Sequence, residues 1–345
     1  MVFKEGVVTM LNIGDYVARL SYNKDILFRI TYISPNQIAR LKGVSYRVIA
    51  DAPISDLELS IGMRYTNEES SIMSTIEATV DKIMKKRAES EKGKDPRFQK
   101  TGTVLHVDGD AFYLNLCLKY YKTLDIPAIG EHISESEQPK KIKYLLEKYS
   151  PDILVLTGHD ALNKNHKTLY DINEYRNSQY FVESVKRARA IRPNMSELVI
   201  FAGACQSYFE EILAAGADFA ASPDRVLIHA LDPVFIVEKI AECPFYKVLP
   251  IEEALENTIT QFNGLGGYEI LGKCRRGGPV VIDKRKDEVK EKRVKEDNTT
   301  LDPEHMTKDD IEKELDRPLF KDSRQEFESK IKQYINNHPS TLKIK

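Results

Sequence analysis

Two segments of the chain place a reactive side chain just past an apolar run. In DILVLTGHDA, residues 152–161, His159 follows the run. In LVIFAGACQS, residues 198–207, Cys205 does. A cysteine thiol is only a few per cent ionised near pH 7, and a nearby imidazole either removes its proton or stabilises the thiolate. If the two runs are neighbouring strands, about 4.7–4.9 Å apart, His159 and Cys205 face one another at the same sheet edge. The chemistry this pair supports is acyl transfer, with Cys205 as nucleophile and His159 as general acid and base. Small neighbours leave room for an oxyanion at backbone N–H groups, for which Gly158, Asp160 and Ala204 are the candidates. Cys205 is also expected to begin a helix, whose N-terminal partial charge favours the thiolate.

The other cysteines and histidines invite plainer readings. Cys117, in YLNLCLKYY, has apolar neighbours at helical spacing and reads as core, while Cys243 and Cys274 have no base nearby in sequence. His106 lies inside an apolar run and His229 near the end of another, positions typical of hydrogen-bonded structural histidines. His166, in the polar stretch NKNHKTLYD, is the competing candidate for the base. The VDGD turn offers Asp108 and Asp110 as metal ligands, as partners of a cationic side chain, or as caps of the following helix. No glycine-rich phosphate cradle accompanies them, so neither a metal nor a cofactor is expected.

The elements that must position these residues follow from periodicity. From Thr103 onward apolar strands alternate with amphipathic helices: TVLHV with AFYLNLCLKYYKTL, IPAIGEHI with PKKIKYLLEKY, DILVLTG with SQYFVESVKRARAI, ELVIFAGA with YFEEILAAG, then DFAAS and RVLIHA before DPVFIVEKIAE. Right-handed crossovers cover both faces of a parallel sheet with helices, so this is the pattern of an α/β domain with ligands bound outside the carboxyl ends of its strands. Ahead of it, short β-rich runs separated by Gly14, Pro35-Asn36 and Gly43 predict a small SH3-like β-barrel. The expected organisation is a barrel over 1–62, a helix and charged linker over 63–101, the α/β domain over 102–280 and a charged tail over 281–345.

The chain has 345 residues, enough for two cores, and carries 51 basic against 53 acidic residues. That balance leaves no electrostatic footprint for nucleic acid. No apolar run approaches the roughly 20 residues of a membrane span, and the N-terminus lacks the pattern of a secretory signal, so a cytoplasmic protein without membrane contact is expected. The four cysteines form no CxxC pair, which argues against a disulfide framework or structural zinc site.

The blocks IGDYVARLSYNKDILFRI, VLHVDGDAFYLNLCLKYY, PDILVLTGHDAL, LVIFAGACQSYFEEILAAGADFAASP and VLIHALDPVFIVEKIA resemble the sporulation-specific peptidases of the YabG family. The resemblance spans roughly residues 11–275. It implies a cysteine endopeptidase of spore-forming bacteria that works in the mother cell, processes spore coat and cortex-related proteins, and cleaves after arginine. The order of His before Cys at strand ends is also similar to the caspase-like superfamily, although this chain has His159-Asp160 where those proteins have His-Gly. Cleavage after arginine calls for a carboxylate, because a desolvated guanidinium needs a partner. Asp110 is the first choice, Asp108 the second, and Asp224 on the SPDR turn another wall, while Asp160 adjoins the base and is placed to tune it. Arginines in the charged linkers, Arg87, Arg97, Arg275 and Arg276, are expected to be exposed to self-cleavage. The reading from a different class is a non-catalytic receiver-like or scaffold protein that binds a ligand at the strand ends. A third is a metal-dependent hydrolase built on Asp108, Asp110 and His159.

Overall fold

The computed structural model describes residues 10–60, 67–91, 98–163 and 165–277. The chain divides into two units, residues 1–280 and 281–345. The expected charged tail lies outside the described residues, as does Arg97.

The β-rich start forms five antiparallel strands, β1 (Tyr16–Arg19), β2 (Leu27–Ile33), β3 (Ile38–Gly43), β4 (Ile49–Pro53) and β5 (Leu57–Leu59), in the order β4-β3-β2-β1-β5. Val17, Phe28, Ile30, Ala39, Leu41, Ala52 and Leu57 make its own small core. Helix α1 (Asn67–Glu91) follows and buries Ile76, Val80 and Ile83. Arg87 belongs to this helix, where Glu238 pairs with it at 2.8 Å. The expectation of a flexible, exposed arginine fails there because the helix packs an acidic neighbour against it.

The α/β part begins with β6 (Phe98–Lys100) and continues through β7 (Val104–Asp108), α2 (Ala111–Thr123), β8 (Ala128–His132), α3 (Gln138–Tyr149), β9 (Ile153–Thr157), α4 (Ser178–Ile191), β10 (Val199–Ala202), α5 (Phe209–Ala214), β11 (Phe219–Ala221) and α6 (Asp232–Glu242). It closes with β12 (Val248–Leu249), α7 (Ile251–Leu255), α8 (Gln261–Gly264), β13 (Leu265–Gly267), β14 (Ile270–Leu271) and β15 (Arg275–Gly277). Six strands form the central sheet in the order β13-β11-β10-β9-β7-β8, all parallel except β13, which runs antiparallel to β11.

The sheet is buried on both faces, so its strands read as continuous apolar runs. Alternate residues nonetheless separate the two sides. Val104, Ile153, Val155, Val199 and Phe201 join residues of α1, α2 and α6 in one core. Leu105, Val107, Leu154, Leu156 and Ile200 join residues of α3, α4 and α5 in the other. The chain therefore has a mixed α/β fold with a mostly parallel sheet flanked by helices, beside an antiparallel sheet. No helix among the described residues is long and apolar enough to cross a membrane.

Two expectations need correction. RVLIHA forms no strand of the sheet; it is a loop whose backbone serves Cys205. Arg275 and Arg276 lie in β15, which pairs with β6, so they do not sit in a loose linker.

The two sheets meet along the β3–β4 connection. Ala230 N–H donates to Ser45 O at 2.8 Å, Tyr46 forms an antiparallel bridge with His229, and the Tyr113 hydroxyl lies 2.6 Å from both the Gly43 and Tyr46 carbonyl oxygens. Tyr113→Phe leaves these buried carbonyls without that donor. It is expected to lower stability by about 1–3 kcal/mol in denaturant unfolding, whereas an unchanged midpoint shows that the contact contributes nothing.

Candidate active site

The chain order of the central sheet reverses between β7 and β9, and ligands in open α/β sheets bind in the crevice at such a switch point. Asp108 ends β7 there, Asp110 stands at the N-cap of α2, and His159 follows β9. Strand β9 pairs with β10 in parallel, Ile153 opposite Val199 through Leu156 opposite Ala202. His159 follows β9 and Cys205 follows β10, so the two residues leave adjacent parallel strands at the same edge of the sheet.

His159 is held on several sides. Its Nε2 lies 2.8 Å from Asp110 Oδ2, and its ring meets that of Tyr113 edge-on at 5.7 Å. Its backbone N–H donates to Glu135 Oε1 at 2.7 Å, while its carbonyl accepts from Asn177 Nδ2 at 2.8 Å. The Glu135 carboxylate fills the space beside Gly109 and Gly158, where an added Cβ would come within 2.2 and 2.3 Å of Oε1. Glycine is needed at both positions for this close approach.

Asp110 caps α2 by accepting from Phe112 N–H at 2.9 Å, and its other oxygen takes both His159 and the Lys42 ammonium, the latter at 2.5 Å. Burial pushes its carboxyl up, but His159 and Lys42 outweigh burial and hold it at about 2. The partners of Asp110 are thus an imidazole to be oriented and a lysine from β3.

Asp108 is completely buried and holds a guanidinium. Arg47 Nη1 lies 2.6 Å from its Oδ2, which also accepts from Thr157 Oγ1 at 2.8 Å, and its Oδ1 accepts from the Asp110 N–H at 2.8 Å. Burial opposes ionisation, yet Arg47 and His106 together keep the carboxyl well below the usual range. Arg47 is equally buried, stands 5.0 Å over the Tyr113 ring and directs Nη2 toward Cys117 Sγ at 3.6 Å. His106 bonds Tyr121 and Thr157 inside the core, and burial lowers its pKa, so it is neutral structure.

Cys205 is only 1% exposed. The Ile228 N–H donates to its Sγ at 3.3 Å. Burial pushes the thiol up to about 11, against the pull of the Ile228 backbone and of the guanidinium and backbone of Arg47. The expected helix start at Cys205 is not observed. Gly203 (φ 113°) and Gln206 (φ 57°) put a turn between β10 and α5, which begins at Phe209. A Cβ at Gly203 would also meet Ala221 N at 3.3 Å, so the turn depends on glycine twice over. The thiol of this arrangement is protonated at neutral pH and gains nothing from a helix terminus.

Asp160 binds the two halves of the site together. Its Oδ2 accepts from Ser178 Oγ at 2.5 Å and Ser207 Oγ at 2.9 Å, and its Oδ1 from the N–H groups of Ala161 and Asn177 at 2.9 and 2.8 Å. Ser207 Oγ in turn accepts from Ala204 N–H at 2.9 Å, and Ser178 Oγ from Tyr208 N–H at 2.8 Å. The His159 loop, the start of α4 and the Cys205 turn thus share one carboxylate. Sequence reasoning placed Asp160 beside the base but missed Ser178 and Ser207. Asn177-Ser178 at a helix start was the available signal.

Of the remaining candidates, Asp224 is exposed on the Ser222–Arg225 turn, without a side-chain partner among the described residues. His166 is exposed and bonds the Asn163 carbonyl in its own loop. Cys117, Cys243 and Cys274 are buried free thiols. Lys42, Arg47 and Glu135 were also missed, since nothing local to their sequence announces the site.

Burial raises the Asp160 carboxyl to about 6, against the opposing pull of Ser178, Asn177, Ser207 and Ala161. A folded value above the unfolded one favours folding at low pH, and that contribution is lost as pH rises from about 4 through about 6. The stability gap between wild type and Asp160→Asn is therefore expected to shrink by up to about 3 kcal/mol over this window in urea titrations. A constant gap contradicts the assignment.

This arrangement, with a carboxylate-held histidine after β9 and a buried cysteine after the neighbouring β10, sits in a chain whose residues 12–279 match the family model described as YabG peptidase U57. The chain belongs to that family and is a peptidase. It is 45% identical over 282 residues to the Sporulation-specific protease YabG of Bacillus subtilis (strain 168), covering 77% of this chain and 97% of that protein. No solved structure matches the chain.

Proposed function

We propose that the protein serves in sporulation as a cysteine endopeptidase that cleaves after arginine, with Cys205 as nucleophile and His159 as its base. The observation that carries this reading is the parallel pairing of β9 with β10, after whose neighbouring ends His159 and Cys205 follow, while Asp110 holds the imidazole. His159 takes the Sγ proton as the thiolate attacks the scissile carbonyl, then gives it to the departing amine. Water, deprotonated by the same imidazole, cleaves the thioester and regenerates the thiol. Asp110 keeps the ring in place and stabilises the imidazolium. The backbone N–H groups of Cys205, Gly158 and Asp160 receive the oxyanion; that of Ala204 is engaged by Ser207 and supports the turn instead.

Preference for arginine is supported by the carboxylates at this edge. Asp108 is best suited, because it lies where a guanidinium can be fully desolvated and paired, and Asp224, exposed on its turn, is read as another wall. The family resemblance makes spore coat and cortex-related proteins of the mother cell the substrates. The short strands separated by turn residues make the five-stranded sheet, within residues 1–62, an SH3-like barrel, and the order of His then Cys at consecutive strand ends makes the α/β part, within 102–280, a caspase-like domain.

Cys205→Ala and His159→Ala are each expected to abolish cleavage of an arginine-containing protein substrate, since the pair acts as one proton-transfer unit. Asp110→Asn should lower kcat on the order of 10²-fold or more, and Cys117→Ala should retain activity in a folded protein. Substantial cleavage by purified Cys205→Ala overturns the proposal.

A further inference from the structure

The β3–β4 connection crosses the carboxyl edge of the parallel sheet at the site itself. Ser45 and Tyr46 run antiparallel to His229 and Ala230, joined by the 2.8 Å bond from Ala230 N–H to Ser45 O. An extended peptide that adds itself to an exposed backbone edge binds in this way. The next residue, Arg47, turns its guanidinium into the pocket formed by Asp108, Thr157, Tyr113 and Cys117. Its main chain lies against the Cys205 thiol, which Ile228, the neighbour of His229, also bonds. One short segment thus fills a strand-pairing edge, a guanidinium pocket and the space over the nucleophile.

A permanent docking contact between the two sheets would predict that its buried polar atoms are paired, as almost all such atoms are in folded proteins. Here Arg47 Nε and His229 Nε2 are both buried without a hydrogen-bond partner among the described residues. The segment is also bent: Val48 N–H folds back to Tyr46 O at 2.8 Å, and Gly43 N–H donates to Val48 O at 2.9 Å. The chain therefore does not run on extended past the nucleophile. We propose that residues 45–48 are an internal, substrate-like occupant of the active site, with Arg47 seated in the Asp108 pocket that receives the arginine of a protein substrate. This rests on the cysteine-peptidase reading above. The enzyme is latent while the segment is in place, and cleavage elsewhere requires its displacement.

The test uses the full chain and two irreversible electrophiles, an arginyl and an alanyl acyloxymethyl ketone, with Cys205 modification followed by intact mass and peptide mapping. Arg47→Gly is expected to react with the arginyl probe at least about tenfold faster than wild type, because the competing occupant is gone. Agmatine, a small guanidinium compound, should slow that reaction. Adding Asp108→Asn to Arg47→Gly should erase the preference for the arginyl over the alanyl probe while chloroacetamide still modifies Cys205. Should Arg47→Gly fail to fold, Arg47→Gln carries the same comparison. Equal arginyl labelling of wild type and the folded Arg47 variant overturns the proposal, as does an arginyl preference that survives Asp108→Asn. These failures leave the cysteine reading intact, which falls only if Cys205→Ala still cleaves protein substrate.

Discussion

The Arg47–Asp108 pair is the interaction around which the site is arranged. Two charges removed from water lose several kcal/mol of hydration each, and their attraction offsets this only when geometry and neighbouring hydrogen bonds are favourable. The structure supplies four such neighbours from three elements: Thr157 from β9, the Asp110 N–H and Tyr113 from α2 with its cap, and His106 within β7. Three of them also position something else. Asp110 reaches His159, Tyr113 reaches the backbone of the β3–β4 connection, and the Thr157 backbone continues into the His159 loop.

A second carboxylate, Asp160, joins what the first does not. Among the described residues it meets no cation, only two hydroxyls and two backbone N–H groups, and so it titrates in the opposite sense from Asp108 and Asp110. The site combines carboxylates held ionised by cations with one pushed toward neutrality by burial. Environments that drive like groups apart in this way are characteristic of functional sites.

The placement of His159 and Cys205 after adjacent strands was legible because each residue follows its own apolar run and those two runs pair in parallel. Asp108 and Asp110 were legible as carboxylates at the same edge for the same reason. Their partners were not, because Lys42 and Arg47 come from the antiparallel sheet and meet the site only through tertiary packing. The helix expected at Cys205 failed for a local reason: the positive φ values of Gly203 and Gln206 make a turn that the small residues of GACQS permit but do not announce. RVLIHA reads as a strand by composition, yet its backbone is turned toward Cys205 and the β3–β4 connection.

The most direct measurement is a crystal structure of the full chain after reaction with a peptidyl electrophile carrying arginine at its reactive end. The account predicts a covalent bond to Cys205 Sγ, the probe's guanidinium on Asp108, His159 within hydrogen-bond reach of the adduct, and Arg47 displaced from its present position. A probe bonded to another cysteine, or bonded to Cys205 with Arg47 still paired to Asp108, would contradict it.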